Sequence, residues 1–122
     1  MSSLFENFFY ICDENTFDQK AAIEDFVLYN ASARNVFQDW LKKIKTADWE
    51  KPADMQQTFR SADILGKGSG RVVFDIGGNK YRMICKYVFG MKQVHLFICW
   101  IGTHAEYDKI CNESIQYAIN TS

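Results

Sequence analysis

The chain has 122 residues, with 48% hydrophobic and 24% charged side chains, one proline and a net charge of −1. That size and balance fit one domain with its own core, and they exclude disordered, collagen-like and bilayer-spanning chains, since no apolar run approaches the roughly 20 residues a membrane helix needs. The small net charge excludes a globally basic nucleic-acid binder but conceals a gradient: residues 1–30 carry six acids and one base, whereas residues 61–104 carry six bases and two acids.

At the start, MSSLFENFFYIC lacks a basic n-region and carries Glu6, which predicts no secretory signal. Cys12, Cys85, Cys99 and Cys111 form no CxxC pair, so the expectation is a reduced, cytoplasmic protein. The aromatic run FFYIC (8–12) reads as a strand. Thr16-Phe17-Asp18-Gln19 resembles a capping box, opening a helix to about Asn30 with Ala22, Ile23, Phe26 and Val27 at helical spacing. Ser32 is placed to cap a second helix, whose stripe is Val36, Phe37, Trp40, Leu41 and Ile44. Its last turn holds Lys42, Lys43 and Lys45, where cations complement the helix dipole. Pro52 suits the first turn of a short third helix, with Met55 and Phe59 turned inward.

From Ile64 the period changes from 3.6 to 2. Glycines 66, 68 and 70 punctuate a turn, and Arg71–Ile76 then alternates with Val72, Phe74 and Ile76 on one face. Gly77-Gly78-Asn79 reads as a tight turn into a strand over 80–88. Val94–Ile101 is apolar on both faces and is expected to be a central strand. Thr103-His104-Ala105-Glu106 is a second capping box, predicting a final helix with Tyr107, Cys111, Ile115 and Ala118 as its stripe. The resulting class is α+β: an antiparallel meander with N-terminal helices packed on one side and a C-terminal helix.

Along Lys80–Lys86, Tyr81, Met83 and Cys85 share the core side, while Lys80, Arg82 and Lys86 share the other, interrupted by Ile84. Three cations on one strand face repel unless solvent or an anion lies opposite. The face is therefore either a solvated surface or a cationic groove for a phosphate backbone. In a meander, the last helix starts close to Arg82. Backbone N–H groups at that terminus attract anions, and a His104 imidazole there could accept a proton. The plainer alternative is that Thr103 and Glu106 only cap the helix and His104 is an exposed first-turn residue. Other chemistries find no support: the GxGxG at 66–70 joins no strand to a helix, and the two histidines and scattered cysteines make no zinc pattern.

Three blocks, TADWEKPADMQQTF (46–59), RVVFDIGGNKYRMI (71–84) and FICWIGTHAEYDKI (97–110), resemble the HigB-type toxins of bacterial toxin–antitoxin pairs, within the RelE/ParE-like superfamily. The resemblance runs from about Ala21 to Ile110; the first 20 residues differ from the short start usual in that family. It implies one RelE-like domain over 1–122 and a ribosome-dependent mRNA interferase working in the ribosomal A site. It also implies no metal or other cofactor and no membrane partner. The partner it implies is a cognate HigA-type helix-turn-helix antitoxin, with operator DNA reached only through that complex. Carried over residue by residue, the resemblance assigns Arg82 to the phosphoryl oxygens and His104 to proton transfer. Tyr107 is a second proton-transfer candidate or a stacking surface. Asn79, Lys80, Lys86 and Thr103 would bind or orient the RNA, and Lys42, Lys43 and Lys45 would touch ribosomal RNA or end a solvated helix. Two other functions on this fold stay open: a non-catalytic gyrase poison of the ParE branch, and a degenerate toxin retained as a binding module.

Overall fold

The computed structural model describes residues 16–66, 68–78, 80–89 and 94–120. The strand expected over 8–12 lies outside them, as do Asn79, the side chain of Lys45 and the side chains of residues 16–22, with the capping box expected at Thr16-Phe17-Asp18-Gln19. The elements run α1 (Thr16–Tyr29), α2 (Ala33–Thr46), α3 (Pro52–Thr58), β1 (Asp63–Ile64), β2 (Arg71–Ile76), β3 (Tyr81–Phe89), β4 (Val94–Thr103) and α4 (His104–Asn112). The strands make one antiparallel sheet in the order β1-β2-β3-β4, as a meander requires.

The apolar stripe of α2 explains its packing: Phe37, Trp40, Leu41 and Ile44 are buried against the sheet. Ser32 occupies the position before α2 but does not cap it. Its backbone is already helical, no side-chain cap bond forms, and its Oγ lies 2.9 Å from the Tyr81 phenol oxygen. A tertiary contact to the start of β3 has taken the hydroxyl that a cap would use. At α3, Pro52 sits in the first turn as expected, and the Asp54 carboxylate accepts the N–H groups of Glu50 (2.8 Å) and Lys51 (3.2 Å). Phe59, just past that helix, stacks on Trp40 with centroids 6.0 Å apart.

Side-chain alternation divides the sheet cleanly. Val72, Phe74 and Ile76 of β2, Tyr81, Met83 and Cys85 of β3, and Leu96 and Ile98 of β4 join α1 and α2 in the main core. The opposite face carries a smaller cluster of Leu65, Val73, Ile84, Cys99, Trp100 and Ile110, with Tyr107, Tyr117 and Ile119 packed against it. Hence α4 and the chain that follows cover the second face, while the three earlier helices hold the first. The strand over 94–101 is not central: β4 is outermost of the four described strands. Its two apolar faces are explained by what covers them, α1 on one and α4 on the other.

A β-bulge sets the phase of β4. Ile84 pairs with Trp100 while Cys85 pairs with Ile98, so Cys99 is the extra residue. Cys99 and Trp100 consequently both face the second cluster, and Ile101 returns to the first. The final helix is shorter than the sequence stripe suggests, since Ile115 and Ala118 lie beyond its end. Ser114 adopts φ 58°, its N–H reaches Cys111 O at 3.0 Å, and the Ile115 N–H reaches Ile110 O at 3.1 Å. This is a Schellman stop with serine in the position glycine usually holds.

Candidate functional site

The hairpin between β2 and β3 fixes one side of the site. Gly77 and Gly78 both have positive φ, 69° and 71°, which lets the chain reverse between Ile76 and its partner Tyr81. That register sets Asp75 directly across from Arg82, on the face covered by α4. Their side chains form an ion pair between Asp75 Oδ1 and Arg82 Nη1, with side-chain exposures of 18% and 13%. Water is largely excluded, so the pair is stronger than a surface pair and each charge depends on the other. The Tyr107 ring covers the guanidinium from α4, its centroid 5.9 Å from Arg82 Cζ.

The other side is set by the junction of β4 and α4. Arg82 pairs with Gly102, and two residues later His104 begins the helix, its backbone N–H donating to Lys80 O at 3.1 Å. A Cβ on Gly102 would collide with the Trp100 indole and lie 2.8 Å from Glu106 Oε1, so only glycine lets the ring and the capping carboxylate approach together. The Thr103–Glu106 box forms as predicted. Glu106 N–H donates to Thr103 Oγ1 at 3.2 Å, and Thr103 N–H donates to Glu106 Oε1 at 2.8 Å. Thr103 therefore acts as a cap, which is the plainer of the two readings of that box. His104 is partly open to solvent, with 43% side-chain exposure, and its Nδ1 stands 3.5 Å from Asp108 Oδ1 one turn on. That distance is long for a hydrogen bond, and the contact is an ion pair only when the imidazole carries a proton.

Burial pushes the Tyr107 phenol well above its ordinary value, helped by its hydrogen bond with Cys111 and by the Asp63 carboxylate, with Arg82 opposing. The phenol thus keeps its proton at neutral pH and can donate but not accept one. Burial likewise raises the Cys85 thiol, consistent with a packing role in the main core.

Arg82, Tyr107, His104, Thr103 and the exposed Lys80 therefore gather at one end of the sheet. Lys86 does not join them: it lies four residues from Arg82 along β3, about 13 Å, and pairs with Arg71 and Phe97. The cationic face read from the sequence is interrupted in two ways. Ile84 is fully buried beneath α4, and the anion opposite Arg82 is the chain's own Asp75. Asp75 escaped the sequence reading, although a turn joining Ile76 to Tyr81 already implies the 75–82 pairing. Separately, an open groove of about 760 Å³ lies between α2, residues 58–61 and the end of β2. Lys43, Phe59, Arg60 and Asp75 border it, whereas Arg82, His104 and Tyr107 do not.

Among the described residues, no group of three or more His, Cys, Asp or Glu side chains could hold a metal ion, and no helix is long and apolar enough to cross a membrane. Residues 33–110 match the family described as HigB_toxin, RelE-like toxic component of a toxin-antitoxin system. The mRNA interferase HigB of Escherichia coli O6:H1 (strain CFT073) is 36% identical over 67 residues, which cover 55% of this chain and 63% of that relative. The family match takes in α2, the whole sheet and the first seven residues of α4, every element that shapes the site. The chain belongs to the HigB family, the RelE-like toxic components of toxin–antitoxin systems.

Proposed function

We propose that this toxin is an mRNA interferase that cleaves RNA through its own 2′-OH, leaving a 2′,3′-cyclic phosphate and a 5′-OH. The observation that carries the reading is the convergence at one end of the sheet of a held guanidinium, a solvent-open imidazole at a helix N-terminus and a phenol that keeps its proton. In RNA the nucleophile already lies beside the scissile phosphate, so the protein must move protons and stabilise the phosphorane. Arg82 binds the phosphoryl oxygens, where charge accumulates as the 2′ oxygen attacks. His104 takes the 2′ proton, and Tyr107 donates to the departing 5′ oxygen or to the phosphorane. Lys80 and Asn79 hold the flanking backbone, Thr103 supports the site by fixing the start of α4, and Lys86 contributes charge from farther along the strand. The toxin acts in the cytoplasm on mRNA in the ribosomal A site, and a HigA-type antitoxin silences it.

The test is growth arrest together with mapping of transcript 5′ ends after induction. Arg82→Ala and His104→Ala should each abolish both the arrest and the new 5′-OH ends while keeping the wild-type circular dichroism spectrum. Tyr107→Phe should slow cleavage about 10- to 100-fold, the scale of a lost proton donor. Full toxicity of the folded Arg82 and His104 variants would overturn the assignment.

A further inference from the structure

Asp75 is the one strongly held charged group at the site to which the proposed chemistry gives no task. Its carboxylate is the partner of the residue that would bind the phosphate, and both side chains are shielded from water. A free arginine on a strand samples many rotamers, and much of that freedom is removed here before any substrate arrives. The Asp75 carboxylate holds Nη1 from one side and the Tyr107 ring lies 5.9 Å from Cζ. The backbone behind Asp75 is itself fixed, because it lies two and three residues before Gly77 and Gly78, the positive-φ glycines of the hairpin, and is paired directly with Arg82. The ion pair uses one nitrogen of a guanidinium that has five donors in a rigid plane, so holding that nitrogen sets the direction of the rest.

We infer that Asp75 is the positioning residue of Arg82: it aims the guanidinium plane at the end of the sheet where α4 begins, so that the phosphoryl group meets a preset donor edge. This rests on the proposed contact of Arg82 with phosphate. The competing role is simple neutralisation of a buried cation, and the two differ in what they demand of position 75. Aiming needs an acceptor at the right reach, whereas neutralisation needs only a negative charge.

The experiment compares Asp75→Asn, Asp75→Glu and Asp75→Ala in the full chain, by single-turnover cleavage of a defined mRNA on translating ribosomes and by melting temperature. Asparagine keeps the reach and an acceptor oxygen, while glutamate keeps the charge on an arm one methylene longer. The expected result is a cleavage rate about tenfold below wild type for Asn and about a hundredfold below for Glu and Ala, the cost of misplacing a reacting group by about 1 Å. Apparent substrate affinity should change less than about twofold, since the Arg82 charge remains. Melting temperatures should rank differently, with Glu above Asn. Wild-type cleavage by the Glu variant, or three rates that simply follow the melting temperatures, would overturn the inference. Arg82→Ala, run alongside, separates the two possible failures: if it cleaves normally, the phosphate contact itself is wrong.

Discussion

On the face covered by α1 and α2, the sheet meets an almost wholly apolar layer in which Trp40, Phe59 and Phe74 pack edge to face or stacked within 6.0 Å of one another. On the face covered by α4, the same strands bury Arg71, shield the Asp75–Arg82 pair and hold the Tyr107 phenol beside a smaller apolar cluster. The first face is built to fold: its burial is large, non-directional and tolerant of small shifts. The second is built around polar groups that must each find a partner, because a buried donor or charge left alone is costly. The proposed chemistry sits entirely on the second face. The arrangement separates stability from reactivity across the thickness of one sheet, and it leaves the site free to carry charges that the main core could not accommodate.

The largest expected effect lies on the first face. Phe74 is fully buried and makes edge contacts with both Trp40 and Phe59 at 5.3 Å. Phe74→Ala should cost about 4 kcal/mol, from lost transfer energy, a cavity between three aromatic rings and two lost ring pairs. Urea denaturation measures it directly. A loss under about 1.5 kcal/mol would mean that the aromatic layer is not the principal folding core, and the contrast between faces would fail.

Next comes Arg71 on the second face. Its Nη1 donates to Ile119 O at 2.6 Å and to Gln116 O at 3.3 Å, tying the segment after α4 back onto β2. Arg71→Met keeps the apolar stem but strands two carbonyls, and should cost about 2 kcal/mol. The damage should be local: limited proteolysis within 113–120 should rise sharply while the far-ultraviolet spectrum is unchanged. Uniform loss of protection throughout the chain would show instead that both faces unfold as one unit.

The sequence disclosed the two faces unevenly, for a physical reason. The first face is written in periodicity: the stripe of α2 and the alternation Val72, Phe74, Ile76 and Tyr81, Met83, Cys85 each follow from helix or strand geometry, and all but the half-buried Val36 are buried where expected. The second face depends on registers between segments. The pairing of Asp75 with Arg82 needs the hairpin register, and the facing of Trp100 needs the bulge at Cys99, which no period in β4 announces. Arg71 is buried by the tail that folds over it, a contact that no local pattern announces. Arg82 and His104 stand out through local patterns, a strand face and a helix start, and Tyr107 enters with the resemblance; Asp75 takes its place from the hairpin register and Gly102 from the packing of Trp100 and Glu106 around it.

The end of α4 offers the finest test of that division. Ser114 holds φ 58°, a conformation that costs a non-glycine residue roughly 1–2 kcal/mol, yet it is here that the Schellman bonds turn the chain towards Arg71. Ser114→Gly removes that strain but enlarges the freedom of the unfolded chain, so the net gain should be only about 0.5 kcal/mol. A melting-temperature rise of a few degrees would fit, with the proposed mRNA cleavage unchanged in rate because Tyr107 and His104, to which it is assigned, lie in the earlier turns of the helix. A drop in stability would mean that serine contributes a contact the backbone geometry does not reveal. A change in cleavage rate would carry more weight, since it would couple the tail to Tyr107 and make the outer edge of the second face part of its chemistry.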